Sequence, residues 1–124
     1  MILGTGGASK AVAYVLKNLG IEFLKVSRYP KKKKEISYSD LNEKLVSEYT
    51  VIINCTPLGT FPNVAKKPNI PYQFLSENHL LYDLIYNPEK TSFLKEGEER
   101  GAEIKNGLEM LELQAEESWR IWSR

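Results

Sequence analysis

A glycine-rich turn near the start of the chain has the clearest chemistry in the sequence. It spans residues 4 to 9 (Gly-Thr-Gly-Gly-Ala-Ser), follows a short apolar stretch and leads into a helical pattern. In such a turn the first glycine permits a tight bend, and the second lets the backbone approach a pyrophosphate at the N-terminus of the following helix. Gly4 and Gly6 fit these two roles. The turn therefore predicts the start of a dinucleotide-binding βαβ unit.

The match to the G-x-G-x-x-G pattern is incomplete because Ser9 stands in place of the third glycine, although the small Ala8 and Ser9 still permit close helix packing. A phosphate-binding loop of the nucleotide hydrolases would need glycine at position 9, lysine at 10 and serine or threonine at 11. Of these only Lys10 is present. A strand-to-helix turn without any ligand is the alternative interpretation.

The residues after the predicted second strand indicate which dinucleotide would bind. An NAD site places Asp or Glu about 20 residues after the glycines, whereas an NADP site offers an arginine to the 2′-phosphate. Here the strand ends in Ser-Arg-Tyr at 27–29 without an acid, and lysines follow at 31–34. Arg28 can pair with the phosphate and stack on the adenine, so the sequence predicts NADP. For most of the lysines a solvated loop is the simpler interpretation.

Residues able to act in catalysis are hard to place. His79 is the only histidine and lacks an evident acid, nucleophile or metal partner, which favours a surface or packing role. Cys55 follows a predicted strand and could be reactive or simply a small buried residue. Asp83 could cap local backbone amides, and Tyr86 could pack at the domain edge. No catalytic residue and no metal ligand is assigned to this chain.

Apolar residues recur at helical and strand spacing along the whole chain. Helices are predicted at residues 7–19, from 39–40 to 48, at 91–100 and from 107 onward. Strands are predicted at 22–27, 36–38, 50–54, 80–84 and 102–105. Gly20 suits a left-handed helix end, and Ser39 and Asp40 can cap the second helix. The alternation predicts an α/β, Rossmann-like fold with an open, mostly parallel sheet and helices on both faces.

Three segments receive more specific predictions. The β-branched run at 50–54 is typical of a strand covered on both faces, and its end delivers Asn54 and Thr56 to the ligand edge. The proline-rich segment 57–78 predicts a long loop with at most one turn of helix. Met110 and Gln114 share one face of the last helix. A separate apolar stripe on that helix contains Leu108, Leu111, Ala115, Trp119 and Trp122.

Length and charge limit the classes of function. The chain has 124 residues, with 17 Lys and Arg against 16 Asp and Glu, which predicts one domain without an electrostatic footprint for nucleic acid or membrane. One cysteine and no long apolar run or leader favour a cytoplasmic protein. Because only three residues precede Gly4, where a full strand needs about five, we expect the back half of a longer protein.

Four blocks in order resemble the C-terminal, NADP-binding domain of the shikimate dehydrogenase family. They are Gly-Thr-Gly-Gly-Ala at 4–8, Ser-Arg-Tyr at 27–29, Ile-Asn-Cys-Thr-Pro-Leu-Gly at 53–59, and Tyr-Asp-Leu-Ile-Tyr-Asn-Pro at 82–88 with Gly-Leu-Glu-Met-Leu-Glu-Leu-Gln-Ala at 107–115. The resemblance covers nearly the whole chain. The second block departs from the family's usual Asn-Arg-Thr, so Arg28 is its matching residue.

The resemblance implies a role for each block. The pyrophosphate would be held by Gly4, Thr5, Gly6, Gly7 and Ala8. The adenosine ribose phosphate would be held by Ser27, Arg28, Lys31 and Lys32. The path of the cofactor toward the nicotinamide would be lined by Asn54, Thr56, Leu84, Gly107 and Met110. The shikimate side of the cleft would be touched by Tyr86 and Gln114.

The reaction implied by the resemblance is reversible hydride transfer between NADPH and 3-dehydroshikimate, forming shikimate for aromatic amino acid synthesis. The family's catalytic lysine and aspartate belong to an N-terminal substrate domain, so this chain alone is expected to be inactive. A quinate dehydrogenase, or a free-standing nucleotide-sensing or interaction module, is the alternative. Loss of the substrate half would expose its docking face, including parts of the last helix, so we expect self-association.

Overall fold

The predicted order of strands and helices is present in a computed structural model that describes residues 1–32 and 35–123, without the side chain of Trp122. The strands are β1 Ile2–Leu3, β2 Lys25–Val26, β3 Glu35–Ile36, β4 Val51–Asn54, β5 Leu80–Asp83 and β6 Glu103–Lys105. The helices are α1 Gly7–Asn18, α2 Glu43–Glu48, α3 Ser92–Glu99 and α4 Leu108–Trp122. Two 3-10 turns lie at Tyr38–Asp40 and Tyr72–Phe74. Of the predicted lysine loop at 31–34, Lys33 and Lys34 lie outside the described residues.

The six strands form one parallel sheet in the order β3-β2-β1-β4-β5-β6. The strand before the glycine turn lies at the centre, where Leu3 pairs with both Val26 and Asn54. The chain first adds strands on one side of β1 and then continues on the other side. Ligands bind at such a reversal, at the carboxyl ends of the strands. The predicted Rossmann-like architecture is confirmed.

The two faces of this sheet are covered unequally. The main core lies on the face of α2, α3 and the second 3-10 turn, and it includes the fully buried Leu3 and Leu81. On the other face α1 packs on β1 and leaves Ile2 no exposed surface. Further along that face Val51 of β4 is 43% exposed. The prediction that strand 50–54 is covered on both faces is therefore wrong for Val51, because α1 covers the neighbourhood of β1 and not that of β4.

The predicted C-terminal end of α1 is confirmed, and the predicted N-cap of α2 is not. Gly20 follows α1 with φ 72, the left-handed conformation expected there. The predicted cap of α2 at Ser39 and Asp40 is wrong, because both residues belong to the first 3-10 turn. After an extended residue, Asn42 caps α2 instead, and its side-chain oxygen accepts a hydrogen bond from the Leu45 N–H at 2.9 Å.

The proline-rich segment 57–78 contains a single 3-10 turn, as predicted. Its anchor is Tyr72, which is buried and donates its hydroxyl hydrogen to the Pro68 carbonyl at 2.7 Å. The Tyr72 ring also meets Phe93 edge to face, with centroids 6.4 Å apart. This long connection therefore serves as part of the layer that covers the core face of the sheet.

The last helix is largely exposed, which agrees with the expectation that parts of it are uncovered in this chain. In the part of α4 whose side chains are described, no residue is buried, and the stripe residues Leu108, Leu111 and Trp119 are 42%, 40% and 75% exposed. The apolar stripe is thus present but has no cover within this chain. Within the described ranges no helix combines the length and apolarity needed to cross a membrane.

Gly97 allows α3 to pack directly on β5. A Cβ at this position would clash with Cδ2 of Leu81 and lie 3.3 Å from its Cγ, and Leu81 is fully buried. We therefore expect Gly97→Ala to lower the free energy of unfolding by about 1–3 kcal/mol, the usual cost of overpacking a core. Denaturant unfolding measures this change. The exposed Lys95→Ala on the same helix is the control and should stay within about 0.5 kcal/mol of the parent; equal stability of both variants would contradict the prediction.

Candidate functional site

The first glycine of the turn has the geometry that its predicted role requires. Gly4 adopts φ 105, a region that side chains with a Cβ rarely enter. A Cβ at Gly4 would also lie only 3.1 Å from the Thr56 methyl carbon. The turn that follows β1 is therefore pressed against the residues that follow β4, which brings two of the predicted cofactor-binding blocks together.

The next part of the turn is open. Gly6 is the N-cap of α1 and has no side-chain cap, and no heavy atom lies within 4 Å of a Cβ placed on Gly6 or Gly7. Residues 5–8 are all exposed. The first N–H groups of α1 thus remain available, and they lie at the positive end of the helix dipole. A pyrophosphate fits this opening, because it would supply both the missing acceptors and the negative charge.

Ser9 occupies the position of the missing third glycine. Its side chain is fully buried, and its hydroxyl has no hydrogen-bond partner among the described residues. A small side chain at this position lets α1 approach β1 closely, as predicted for Ser9. The neighbouring Ala8 is instead exposed.

The end of β2 presents positive charge beside the glycine turn. The Gly4 N–H donates to the Val26 carbonyl at 2.8 Å, so the residues after Val26 lie next to the turn. Ser27 is buried, and its hydroxyl oxygen accepts the Tyr29 N–H at 3.2 Å, which reverses the chain at this point. Arg28 is exposed, with its guanidinium carbon 6.0 Å from the centroid of the Tyr29 ring.

Two further groups lie near this cationic strand end. Lys31 and Lys32 are exposed, and the Lys31 N–H donates weakly to a Glu35 carboxylate oxygen at 3.4 Å. Tyr38 is close enough for the Arg28 charge to lower its phenol pKa, although burial has the larger effect and raises that pKa overall. An exposed arginine with two lysines and an aromatic face can hold a phosphate and an adenine ring.

The ends of β4 and β5 are joined by buried hydrogen bonds. Asn54 and Asp83 pair in register and are both fully buried, with the Asn54 amide donating to Asp83 at 3.1 Å. The amide oxygen of Asn54 accepts hydrogen bonds from the N–H and the hydroxyl of Thr56 at 3.0 and 2.6 Å. The side chain of Asn54, expected from the resemblance to line the cofactor path, therefore lies beneath Thr56. Sequence reasoning missed this support because the two partners are 29 residues apart.

Two of the residues expected near the nicotinamide, Leu84 and Gly107, come together at the end of β5. Gly107 would place a Cβ against the Leu84 carbonyl and only 2.6 Å from the Leu84 carbonyl carbon. The Gly107 N–H donates to the Ile85 carbonyl at 3.2 Å. Met110 is half-buried one turn into α4. The start of α4 is thus in backbone contact with the strand end, which only glycine permits.

The two residues expected on the substrate side face outward from different elements. Tyr86 follows β5 and is 47% exposed. Gln114 is exposed on α4 and lines a shallow depression together with Met110. Both are accessible for contacts outside this chain.

His79 is a structural residue, as predicted. It is buried at the start of β5, and its Nδ1 accepts the Ser76 N–H at 3.1 Å. Its Nε2 therefore carries the hydrogen and donates to the Val46 carbonyl at 2.8 Å. In residues 1–32 and 35–123, no three His, Cys, Asp or Glu side chains group as a metal site.

Cys55 has the properties of an unreactive thiol. Burial and the nearby Asp83 raise the pKa of this thiol from 9.0 to about 11. At pH 7 the thiolate fraction should thus be about 100-fold lower than in the unfolded chain, and alkylation by iodoacetamide should be slower by a similar factor. Because the folded state keeps its proton up to higher pH, this group should also make stability fall as pH rises from 9 to 11. Equal alkylation rates in native and denatured protein would contradict this assignment.

A glycine turn that opens a helix at the centre of a parallel sheet, with the strand order reversing there, is the arrangement of Rossmann-type dinucleotide-binding domains. The chain has the Rossmann-like α/β fold of that class. No family model matches it. The shikimate dehydrogenase (NADP(+)) of Caldicellulosiruptor saccharolyticus is 39% identical over 140 residues, an alignment that covers 98% of this chain and 48% of the relative. The chain belongs to the shikimate dehydrogenase family and corresponds to the C-terminal half of its members.

Solved structures agree with this membership. A chorismate mutase/shikimate 5-dehydrogenase fusion protein from Clostridium acetobutylicum is 39% identical with a TM-score of 0.81, covering 98% of this chain and 45% of that one. The enzyme from Thermus thermophilus, solved with NADP(H) and shikimate, is 28% identical with a TM-score of 0.80, covering 98% and 47%. The chain thus spans about half the length of the relatives it matches. The family recognised from four sequence blocks is confirmed.

Proposed function

We propose that this chain is the NADP-binding domain of a shikimate dehydrogenase. Such an enzyme reduces 3-dehydroshikimate to shikimate with NADPH and catalyses the reverse oxidation with NADP. The observation that carries the proposal is the open N-terminus of α1 beside the cationic end of β2. The opening at Gly6 matches a pyrophosphate, and Arg28 matches a 2′-phosphate one strand away. The names of the relatives, which specify NADP(+), support the same cofactor.

Each block then contacts a particular part of the cofactor. The glycine turn holds the pyrophosphate against the N–H groups of α1. Arg28 pairs with the 2′-phosphate, supported by Ser27, Lys31 and Lys32. Thr56 and Leu84 lie with Gly107 and Met110 around the nicotinamide half and fix its orientation, while Asn54 supports Thr56 from below. The bound nicotinamide supplies the hydride chemistry.

The substrate contacts of this chain are limited to one wall of a cleft. Tyr86 and Gln114 are accessible, and we propose that they touch shikimate when the other half of the protein is present. The proton-transferring lysine and aspartate would lie in that other half. Because hydride transfer needs both reactants held in one geometry, the isolated chain should not oxidise shikimate. Its single free cysteine fits a reducing cytoplasm.

Calorimetric titration of this chain with NADPH and with NADH tests the proposal directly. The expected result is binding of NADPH with a clear preference over NADH. Binding of neither dinucleotide would contradict the proposed function, and a preference for NADH would contradict the assignment of Arg28. Detectable shikimate oxidation by the purified chain would overturn the assignment of catalysis to the other half.

The uncovered face of α4 makes self-association an expected property of the isolated chain. Leu108, Leu111 and Trp119 are 42%, 40% and 75% exposed, and apolar surface of this kind favours association. Sedimentation velocity should show a mass that rises with concentration. The double variant Leu111→Lys/Trp119→Lys should remain monomeric, whereas Tyr14→Lys on the exposed side of α1 should associate like the parent. A parent chain that is monomeric at all concentrations would contradict this prediction.

A further inference from the structure

Asp83 is a fully buried carboxylate to which the proposed function gives no contact with cofactor or substrate. One of its oxygens accepts hydrogen bonds from the Asn54 amide and the Ile85 N–H, each at 3.1 Å. The other accepts from the Thr91 hydroxyl at 2.7 Å. Three donors from three separate segments of the chain therefore converge on this one side chain.

The surroundings of Asp83 contain hydrogen-bond donors rather than a countercharge. The ion pairs of the described residues all lie on the surface and do not involve it. A buried carboxylate is costly unless it is fully hydrogen-bonded, and well-packed apolar side chains often stabilise a fold as well or better. A role beyond stability would explain a charged acceptor at this position, since only a carboxylate accepts from all three donors at once.

One branch of this cluster leads to the glycine turn. Asp83 orients the amide of Asn54, and the opposite end of that amide holds the N–H and hydroxyl of Thr56. The methyl group of Thr56 in turn packs against Gly4, where a Cβ would lie 3.1 Å away. The carboxylate thus acts through two side chains on the turn after β1.

The other branch leads to the end of β5 and to two helices. The N–H of Ile85 is bonded to Asp83, and the carbonyl of Ile85 accepts the Gly107 N–H at the start of α4. Thr91, which donates to Asp83, is also the N-cap of α3 and accepts the Leu94 N–H at 3.3 Å. The ends of three neighbouring strands and the starts of two helices are therefore tied to one group.

We propose that Asp83 is a positioning residue that holds the ends of β1, β4 and β5 in one arrangement and so shapes the nicotinamide half of the dinucleotide site. This inference rests on the proposed function, because that function places Thr56 and Leu84 beside the nicotinamide. The adenosine half is held at the end of β2, away from Asp83. Loss of the carboxylate should therefore affect the two halves of the cofactor differently.

The first measurement uses no cofactor. Amide hydrogen exchange followed by NMR measures the exchange rate of the Thr56 N–H. The Ile53 N–H is the internal reference, because Ile53 lies in the sheet and donates to the Met1 carbonyl at 2.9 Å. Asp83→Ala should accelerate exchange at Thr56 relative to Ile53 by about tenfold, as expected for a locally freed amide. Asp83→Asn keeps an oxygen for Asn54 and Ile85 and should restore slow exchange. Tyr72→Phe, which removes a remote buried hydrogen bond, should change both amides equally.

The second measurement compares NADPH with 2′,5′-ADP, which lacks the nicotinamide half. Asp83→Ala should raise the dissociation constant of NADPH about tenfold and that of 2′,5′-ADP by less than about twofold, the pattern of a lost orienting contact. Asp83→Asn should recover most of the NADPH affinity. Tyr72→Phe should leave the ratio of the two constants unchanged.

The outcomes separate this inference from the function on which it rests. If the parent chain binds neither ligand, the proposed function fails, and the exchange measurement still decides whether Asp83 holds Thr56. Equal acceleration at Thr56 and Ile53, or equal loss of NADPH and 2′,5′-ADP, would overturn the positioning role. If Asp83→Ala does not fold, Thr91→Val removes one of the three bonds to Asp83 together with the α3 N-cap bond from Leu94, and the same selective changes are expected at about threefold.

Discussion

Replacing Arg28 with alanine is expected to weaken NADPH binding about 10- to 100-fold and to weaken NADH binding far less, because both dinucleotides carry the adenine but only NADPH carries the 2′-phosphate. The guanidinium lies at the exposed end of β2, beside the glycine turn, and the described residues place two lysines but no competing ion pair there. A charge-assisted bond to a 2′-phosphate is lost only with the dinucleotide that carries the phosphate. Calorimetry with both dinucleotides measures the difference.

Two further variants make the Arg28 result specific. Arg28→Lys keeps the charge but not the planar pair of donors, so it should recover only part of the lost NADPH affinity. Arg100→Ala removes an equally exposed arginine at the far end of α3 and should leave both dinucleotides unaffected. Equal losses of affinity for NADPH and for NADH in Arg28→Ala would contradict the NADP assignment.

Gly6→Val is expected to reduce NADPH binding by about 100-fold or more with a stability loss below about 1 kcal/mol. Gly6 has φ −79, and no heavy atom lies within 4 Å of the position that a Cβ would take, so the folded chain accepts a side chain there. The same space is the path by which we propose that the pyrophosphate approaches the first N–H groups of α1. The substitution should therefore separate binding from folding.

Gly20→Val is the matched control for this effect. Its Cβ also meets open space, but φ is 72, a conformation that costs a branched residue about 1–2 kcal/mol. This variant should lose stability and retain NADPH affinity, the reverse of Gly6→Val. Denaturant unfolding and calorimetry on the two variants provide both readouts, and a Gly6→Val chain that binds NADPH normally would remove the glycine turn from the site.

The parts predicted best were those defined by neighbouring residues. The bend at Gly4, the end of α1 at Gly20 and the single turn in 57–78 depend on backbone conformations that local residue types impose. The order of elements followed from periodicity, and a parallel sheet then followed from their alternation. The family could be recognised for a related reason, since each of its blocks includes glycines or polar residues and lies where a strand ends or a helix begins.

The predictions that failed concern surroundings rather than local conformation. The cap of α2 lies at Asn42 rather than at Ser39 and Asp40, because Asp40 accepts the N–H and the hydroxyl of Ser37 in its own 3-10 turn. Val51 is exposed because α1 packs over β1 and not over β4. A hydrophobic pattern predicts that a face needs to be buried, but it does not identify the element that packs against that face.

The sequence by itself determined the glycine turn, the cationic end of β2 and the succession of strands and helices, and through them the class of fold and the proposed cofactor. These features depend on short-range backbone preferences and on which side chains carry charge. Only the tertiary structure decided that Asn54 lies beneath Thr56, that Asp83 joins segments 29 residues apart, and that Gly107 meets Leu84. The physical reason is that such contacts arise when strands pair side by side, which brings together residues whose separation along the chain carries no signal of their approach.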